Sequence, residues 1–198
     1  MSLWVYEKEQ LDNGHKIICG VDEAGRGPLA GPVCAAAVIL PYGIEIEGLN
    51  DSKKLTEKKR EKLFDVIIEK SIAYGIAFSS EKEIDELNIL QATYLAMNRA
   101  IEKLNTEIDI ALIDGNRNSG INYNSTCIIG GDGKSASIAA ASILAKVTRD
   151  RYMLELDNKY PEYFFAKHKG YGTKLHYEAL REHGPSEVHR LTFLKKMH

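Results

Sequence analysis

Apolar positions fall into two rhythms along the chain. Three early runs, residues 16–21, 33–40 and 72–78, are short, rich in β-branched or small apolar residues and bounded by Gly and Pro, which predicts strands. Between the second and third the spacing becomes helical: Leu63, Phe64, Ile67 and Ile68 form one stripe over residues 57–69, with Thr56 placed to cap them. Ser80 and Glu83 make a capping box for a further helical region, and residues 91–104 continue with Leu95, Ala96 and Ile101 on one side. Two more strands are expected at 109–113 and 125–129. From 135 to about 159 a long helix is nearly apolar all round through Ala145 and charged thereafter, so its first half should be buried and its second exposed. A short helix follows Thr173. Three strands, helices, two strands and a helical C-terminus predict an α/β layered domain with a mixed β-sheet flanked by helices, extended by a basic C-terminal helical lobe.

Composition narrows the class. With 44% hydrophobic and 27% charged residues and 5 prolines among 198, the chain reads as a single globular domain over residues 1–198, not a disordered one. The division expected within it is an α/β core over about 16–160 and a lobe over about 161–198. The longest apolar run, 33–40, falls far short of the roughly 20 residues of a membrane span. The first residues lack a basic head followed by an apolar stretch, so a cytoplasmic location is expected. Cys19, Cys34 and Cys127 form no C-x-x-C pair and sit in apolar runs, as reduced core thiols do. Charge is uneven: residues 1–132 carry 14 basic and 21 acidic side chains, residues 133–198 carry 12 and 7. The last third is therefore the candidate surface for an anionic partner, although the whole chain is at −2.

Chemistry gathers where strands are expected to end. The first runs into Asp22-Glu23, the fourth into Asp114-Gly115, and the fifth, through Gly130-Gly131, into Asp132. At a strand end a turn can bring neighbouring carboxylates toward one ion, and an all-oxygen set without His or Cys suits Mg²⁺ or Mn²⁺, not zinc. For any single Asp a turn or cap role is the ordinary explanation; three coincidences weaken it. Gly25-x-Gly27-x-x-Ala30 approaches a dinucleotide fingerprint, but Pro28, Pro32 and a strand occupy the place of its helix. Gly133-Lys134-Ser135 resembles the end of a phosphate-binding loop, yet Ile128 stands where the first glycine is required.

Five segments in order, Asp22-Glu23-Ala24-Gly25-Arg26-Gly27, Asp51-Ser52-Lys53-Lys54-Leu55, Ile113-Asp114-Gly115, residues 137–150 and Lys169-Gly170-Tyr171-Gly172-Thr173, resemble the bacterial ribonuclease HII family. The resemblance implies a ribonuclease H-like fold. It also implies an endonuclease that cuts the RNA strand of RNA-DNA hybrids and at a lone ribonucleotide in duplex DNA, leaving 3′-hydroxyl and 5′-phosphate ends. Its metal-binding acids fall on Asp22, Glu23, Asp114 and Asp132, which implies two Mg²⁺ or Mn²⁺ ions. Gly25, Arg26 and Gly27 correspond to the segment that contacts the ribose 2′-hydroxyl, Lys53 and Lys54 to a phosphate-contacting pair, and Tyr171 to a tyrosine that packs on the sugar. Lys146, Arg149, Lys167 and Lys169 are further candidates for backbone phosphates. His168, His176, His183 and His189 have no metal-ligand spacing and are expected at the surface or as caps. No glutamine-initiated aromatic box follows Phe193, which argues against docking on a sliding clamp, and a monomer is expected. A DNA nuclease of the same superfold would share the acids without needing a 2′-hydroxyl, and a binding module would not need all four. Of Asp132 and Asp150, Asp132 is the expected last ligand, since it precedes the long helix while Asp150 lies four residues after Lys146 and pairs with it.

Overall fold

The structure, a computed structural model, describes residues 2–49 and 55–195; Lys53 and Lys54 lie outside the described residues. After helix α1 (Val5–Asp12), strand β1 (Ile18–Ala24) pairs antiparallel with β2 (Val33–Ile39), and β2 antiparallel with β3 (Ala73–Ser79). On its other edge β1 runs parallel to β4 (Ile110–Asp114), and β4 parallel to β5 (Ser125–Ile128), so the order is β3-β2-β1-β4-β5. All five expected strands form, and the class is the α/β mixed sheet predicted. One boundary matters for chemistry: β1 continues through Asp22 and Glu23, which pair with Ala36 and Ala35, where the sequence pattern placed them in a turn after the strand.

Helices α2 (Glu57–Lys70), α3 (Glu81–Leu87), α4 (Ile89–Glu102) and α5 (Ala136–Lys159) cover both faces of the sheet. The burial of β2 requires this. Val33, Ala35, Ala37 and Ile39 enter the core beneath α3 and α4, while Cys34, Ala36 and Val38 enter the one beneath α2 and α5. The alanines let α5 lie close against the sheet. At Gly20 the approach is backbone to backbone, since a Cβ there would stand 2.1 Å from the Ser137 carbonyl carbon. Thr56 caps α2 and the Ser80–Glu83 capping box starts α3, both as expected.

Helix α1 has no counterpart among the predicted elements, because what it buries is polar, Glu7 and Gln10, and leaves no apolar stripe to find. Glu7 accepts from Ser135 Oγ at 2.6 Å, Ser137 Oγ at 2.7 Å and Ser137 N at 3.0 Å. It thereby occupies the positive N-terminal end of α5.

The second half of α5 departs from the expectation of exposure. Arg149, Asp150, Met153 and Leu156 are buried: the C-terminal elements α6 (Phe165–His168), α7 (Lys174–His183) and α8 (Leu191–Leu194) fold back over Met153 and Leu156, while Asp150 faces Arg60 of α2. Leu29, Ala30, Met153, Leu156, Tyr163, Phe165, Ala179, Leu180 and Val188 share one apolar cluster there. The histidines are corrected as well: His168, His176 and His189 are buried within this region, where their rings pack with Phe165, and His183 alone of the four stays exposed. Among the described residues, no helix is long and apolar enough to cross a membrane.

Candidate active site

Parallel pairing of β1 with β4 sets Val21 beside Ile113, so Asp22 and Asp114 leave adjacent strands at the same level of the sheet. Beyond β5 the chain turns through Gly130, in the left-handed region at φ 64°, into a short 3₁₀ turn at Gly131–Gly133 that carries Asp132 back toward them. The Gly131 amide donates to Asp114 Oδ1 at 2.6 Å and ties this turn to β4. A Cβ at Gly131 would stand 2.6 Å from the end of the Ile138 side chain, so the turn packs closely on α5. As a result, oxygens of Asp22, Asp114 and Asp132 all lie within 4.8 Å of one another.

Asp22 and Asp132 are buried, 4% and 6% exposed. Burial, with the negative charges of Glu23 and Asp114 beside it, holds the Asp22 carboxyl well above the usual carboxylate range; hydrogen bonds from Ser142 and the Glu23 amide oppose this. Glu23 does not join the group of three. Its Oε1 is 3.3 Å from Arg26 Nη1, while the residue lines the same cleft as Asp22 and Asp114 and its charge acts on Asp22. The donor set is all carboxylate, which fits hard cations of the Mg²⁺ or Mn²⁺ kind, and mutual repulsion in a desolvated place is what such a cation offsets.

Asp22, Glu23 and Asp114 line a cleft of about 230 Å³ together with Gly25, Arg26, Gly27, Ser142, Lys146 and Tyr171. Gly25 has φ +93°, and a Cβ there would stand 1.8 Å from Arg149 Nε, so glycine is required on both counts. The Tyr171 ring, 45% exposed, faces the turn, with a Cβ built at Gly27 standing 3.6 Å from it.

Two arginines fix this wall from behind. Arg190, fully buried, donates to the carbonyls of Gly25 at 2.6 Å, Arg26 at 2.9 Å and Gly31 at 2.9 Å. Arg149, 1% exposed, donates to those of Ala30 at 3.1 Å, Pro32 at 3.0 Å and Lys169 at 3.0 Å. Desolvation pushes both guanidiniums down, Arg190 to about 9. In a trans peptide the N–H points opposite the carbonyl, so the Arg26 and Gly27 amides turn away from Arg190. Arg149 is thus not a phosphate contact, because its guanidinium is consumed by backbone carbonyls in the interior. Arg190 was not singled out from the sequence. A signal existed for Arg149: Ser142, Arg149, Met153 and Leu156 share one helix face, which places the arginine on the buried stripe.

Other expected contacts are engaged inside the molecule. Lys146 Nζ is 2.7 Å from Asp150, and Lys169 Nζ donates to the Ala166 carbonyl at 2.7 Å. Lys167 Nζ sits 5.2 Å from the Phe164 ring centroid on the exposed side. Asp150 is held by Lys146, lies 4.0 Å from Arg60 and is not one of the three grouped acids.

A five-stranded mixed sheet flanked by helices, with buried carboxylates gathered where its parallel centre ends, defines the ribonuclease H-like nucleases. Comparison with known proteins narrows this. The family model for Ribonuclease HII matches residues 19–198. A Ribonuclease HII of Caldicellulosiruptor bescii is 59% identical over 191 residues, covering 96% of this chain and 93% of that one. The crystal structure of ribonuclease H2 from Pyrococcus horikoshii superposes with a TM-score of 0.70 at 31% identity, covering 89% of this chain and 93% of that one. Bst-RNase HIII in complex with Mn²⁺ shares the fold, with a TM-score of 0.74 at 19% identity over 89% of this chain and 67% of that chain. The chain belongs to the ribonuclease HII family, and with it to the ribonuclease H type 2 hydrolases, divalent-metal-dependent endonucleases that act on RNA-DNA hybrids.

The two acids near α5 are separable by mutation. Asp132→Asn is expected to lower cleavage of an RNA-DNA hybrid by more than about 100-fold, the scale of losing a metal ligand rather than a supporting contact. Asp150→Asn is expected to keep cleavage within about threefold and to lower the melting temperature by several degrees, through loss of a largely buried ion pair. Steady-state cleavage beside thermal unfolding checks both.

Proposed function

We propose that this enzyme cuts the RNA strand of RNA-DNA hybrids and also duplex DNA at a single embedded ribonucleotide, leaving 3′-hydroxyl and 5′-phosphate ends. The observation that carries the proposal is the meeting, in one cleft, of the desolvated carboxylates with the Gly25-Arg26-Gly27 turn and the Tyr171 ring. Asp22, Glu23, Asp114 and Asp132 are the residues we assign to holding divalent cations, two of them, Mg²⁺ or Mn²⁺. Such ions, when bound, supply Lewis-acid activation of a water and neutralise charge on the leaving 3′ oxygen.

The chain's own residues contribute position and discrimination. Ser142 and the Glu23 amide orient the Asp22 carboxylate, and the Gly131 amide orients that of Asp114. Phosphate contacts are blind to the sugar, so Lys53, Lys54 and the basic C-terminal region give affinity without selectivity. Reading the ribose falls to the outward amides of the Arg26–Gly27 turn, beside the acids, and to Tyr171, whose exposed ring offers a flat apolar surface to a sugar. Lys167 adds positive charge on the same lobe.

The test is cleavage of three duplexes, all-DNA, RNA-DNA hybrid, and DNA with one ribonucleotide, with Mg²⁺, with Mn²⁺ and with EDTA. Cleavage of both ribose-containing duplexes in metal, loss of it in EDTA and an intact all-DNA duplex are expected; cutting in EDTA, or equal cutting of all-DNA, contradicts the proposal. Tyr171→Ala is expected to lower cleavage at the single ribonucleotide by about ten- to a hundredfold, the scale of lost stacking, and by more than it lowers duplex binding or hybrid cleavage. A tyrosine that only packs its loop gives an equal loss on every substrate with a lower melting temperature.

A further inference from the structure

The loop that carries Tyr171 rests on three buried histidines, two of which, His189 and His176, form a chain whose proton positions are dictated by what lies at each end. The Ser186 amide stands 3.0 Å from His189 Nδ1, and a backbone N–H can only donate, so that nitrogen carries no proton. A neutral His189 therefore holds its hydrogen on Nε2, which faces His176 Nε2 at 3.0 Å and donates to it. The hydrogen of His176 is then on Nδ1, 3.0 Å from the carbonyl of Tyr171, which can only accept. Donor and acceptor roles run in one direction from Ser186 to Tyr171, and each ring has one allowed tautomer. A proton added to either ring would turn its accepting nitrogen toward another donor. Burial acts in the same sense, pushing both His176 and His189 down to about 4.

His168 lies alongside. Its ring stacks on His176 with centroids 4.4 Å apart, its Nδ1 accepts from the Gly170 amide at 3.2 Å, and its Nε2 faces the Tyr163 carbonyl at 2.9 Å. The Tyr171 amide donates to the His168 carbonyl at 2.9 Å, and the Tyr171 carbonyl also accepts from Thr173 N at 2.8 Å. The loop backbone is thus fixed on both sides of Tyr171, while its side chain stays exposed in the cleft.

We propose that His176 is a positioning residue for ribonucleotide recognition: its Nδ1–H, held in that tautomer by His189, sets the backbone of Tyr171 and so the angle at which the ring meets the sugar. This rests on the reading of Tyr171 as the group that packs against the ribose. The competing role is ordinary packing, since Phe165 lies against His168, His176 and His189 alike.

Two substitutions separate the roles because each amide reproduces a different ring nitrogen. In His176→Asn the amide nitrogen takes the place of Nδ1 and can still donate to Tyr171; in His176→Gln it takes the place of Nε2 and the donor to Tyr171 is gone. Both lose the ring and its stack. The ratio of single-ribonucleotide cleavage to hybrid cleavage is expected to fall about fivefold in His176→Gln, the scale of one hydrogen bond, and to stay near the wild-type value in His176→Asn. Long-range ¹H–¹⁵N correlation spectra of the wild-type enzyme at pH 7 are expected to show His176 protonated on Nδ1 and His189 on Nε2. Equal ratios in the two variants, or the opposite tautomers, would overturn the proposal. A Tyr171→Ala enzyme with an unchanged ratio would instead remove the reading on which the proposal rests, while the tautomers stand as found.

Discussion

Negative charge gathered in a desolvated place is the constraint around which this molecule is built. Asp22, Asp114 and Asp132 approach within 4.8 Å because the parallel register of β1 and β4 and the glycine turn after β5 leave them nowhere else to go. Without a balancing cation such crowding in a buried place is unfavourable: the Asp22 carboxyl is held well above its ordinary range by burial first, and then by the charges of Glu23 and Asp114. The rest of the fold supplies the rigidity that sustains it. Helix α5 packs backbone to backbone against Gly20, and its N-terminal end is closed by Glu7 reaching across from α1.

Opposite the acids, the wall of the cleft is held by buried positive charge. Arg149 and Arg190 spend their donors on six backbone carbonyls, joining the Gly25–Pro32 segment to the C-terminal lobe through Lys169. A buried guanidinium without satisfied donors is costly, so these carbonyls and the arginines fix one another. The sheet positions the acids, the arginines position the turn, and the histidine chain positions the tyrosine. All three converge on one cleft.

Much of the fold could be read from the chain because it is carried by apolar pattern and caps. The five strands, the Thr56 cap and the Ser80–Glu83 box obey local rules. The acids are legible as carboxylates following apolar runs, although β1 includes Asp22 and Glu23. What escaped notice is buried and polar. Glu7 with Gln10, Arg190 and the three histidines look like surface residues in one dimension, because their partners are backbone carbonyls, hydroxyls or one another from distant segments. The charged second half of helix α5 reads as exposed for the same reason, since elements that arrive later in the chain cover part of it.

The central claim is that the acids are held together at a cost to the metal-free protein, and thermal unfolding of the wild type and Asp22→Asn with and without Mn²⁺ tests it most directly. Removing one buried charge should raise the metal-free melting temperature of Asp22→Asn by a few degrees above wild type. Mn²⁺ should raise that of the wild type, by mass action on the folded state, and move the variant little. A variant that melts below wild type without metal, or a wild type whose melting temperature ignores Mn²⁺, would contradict the account.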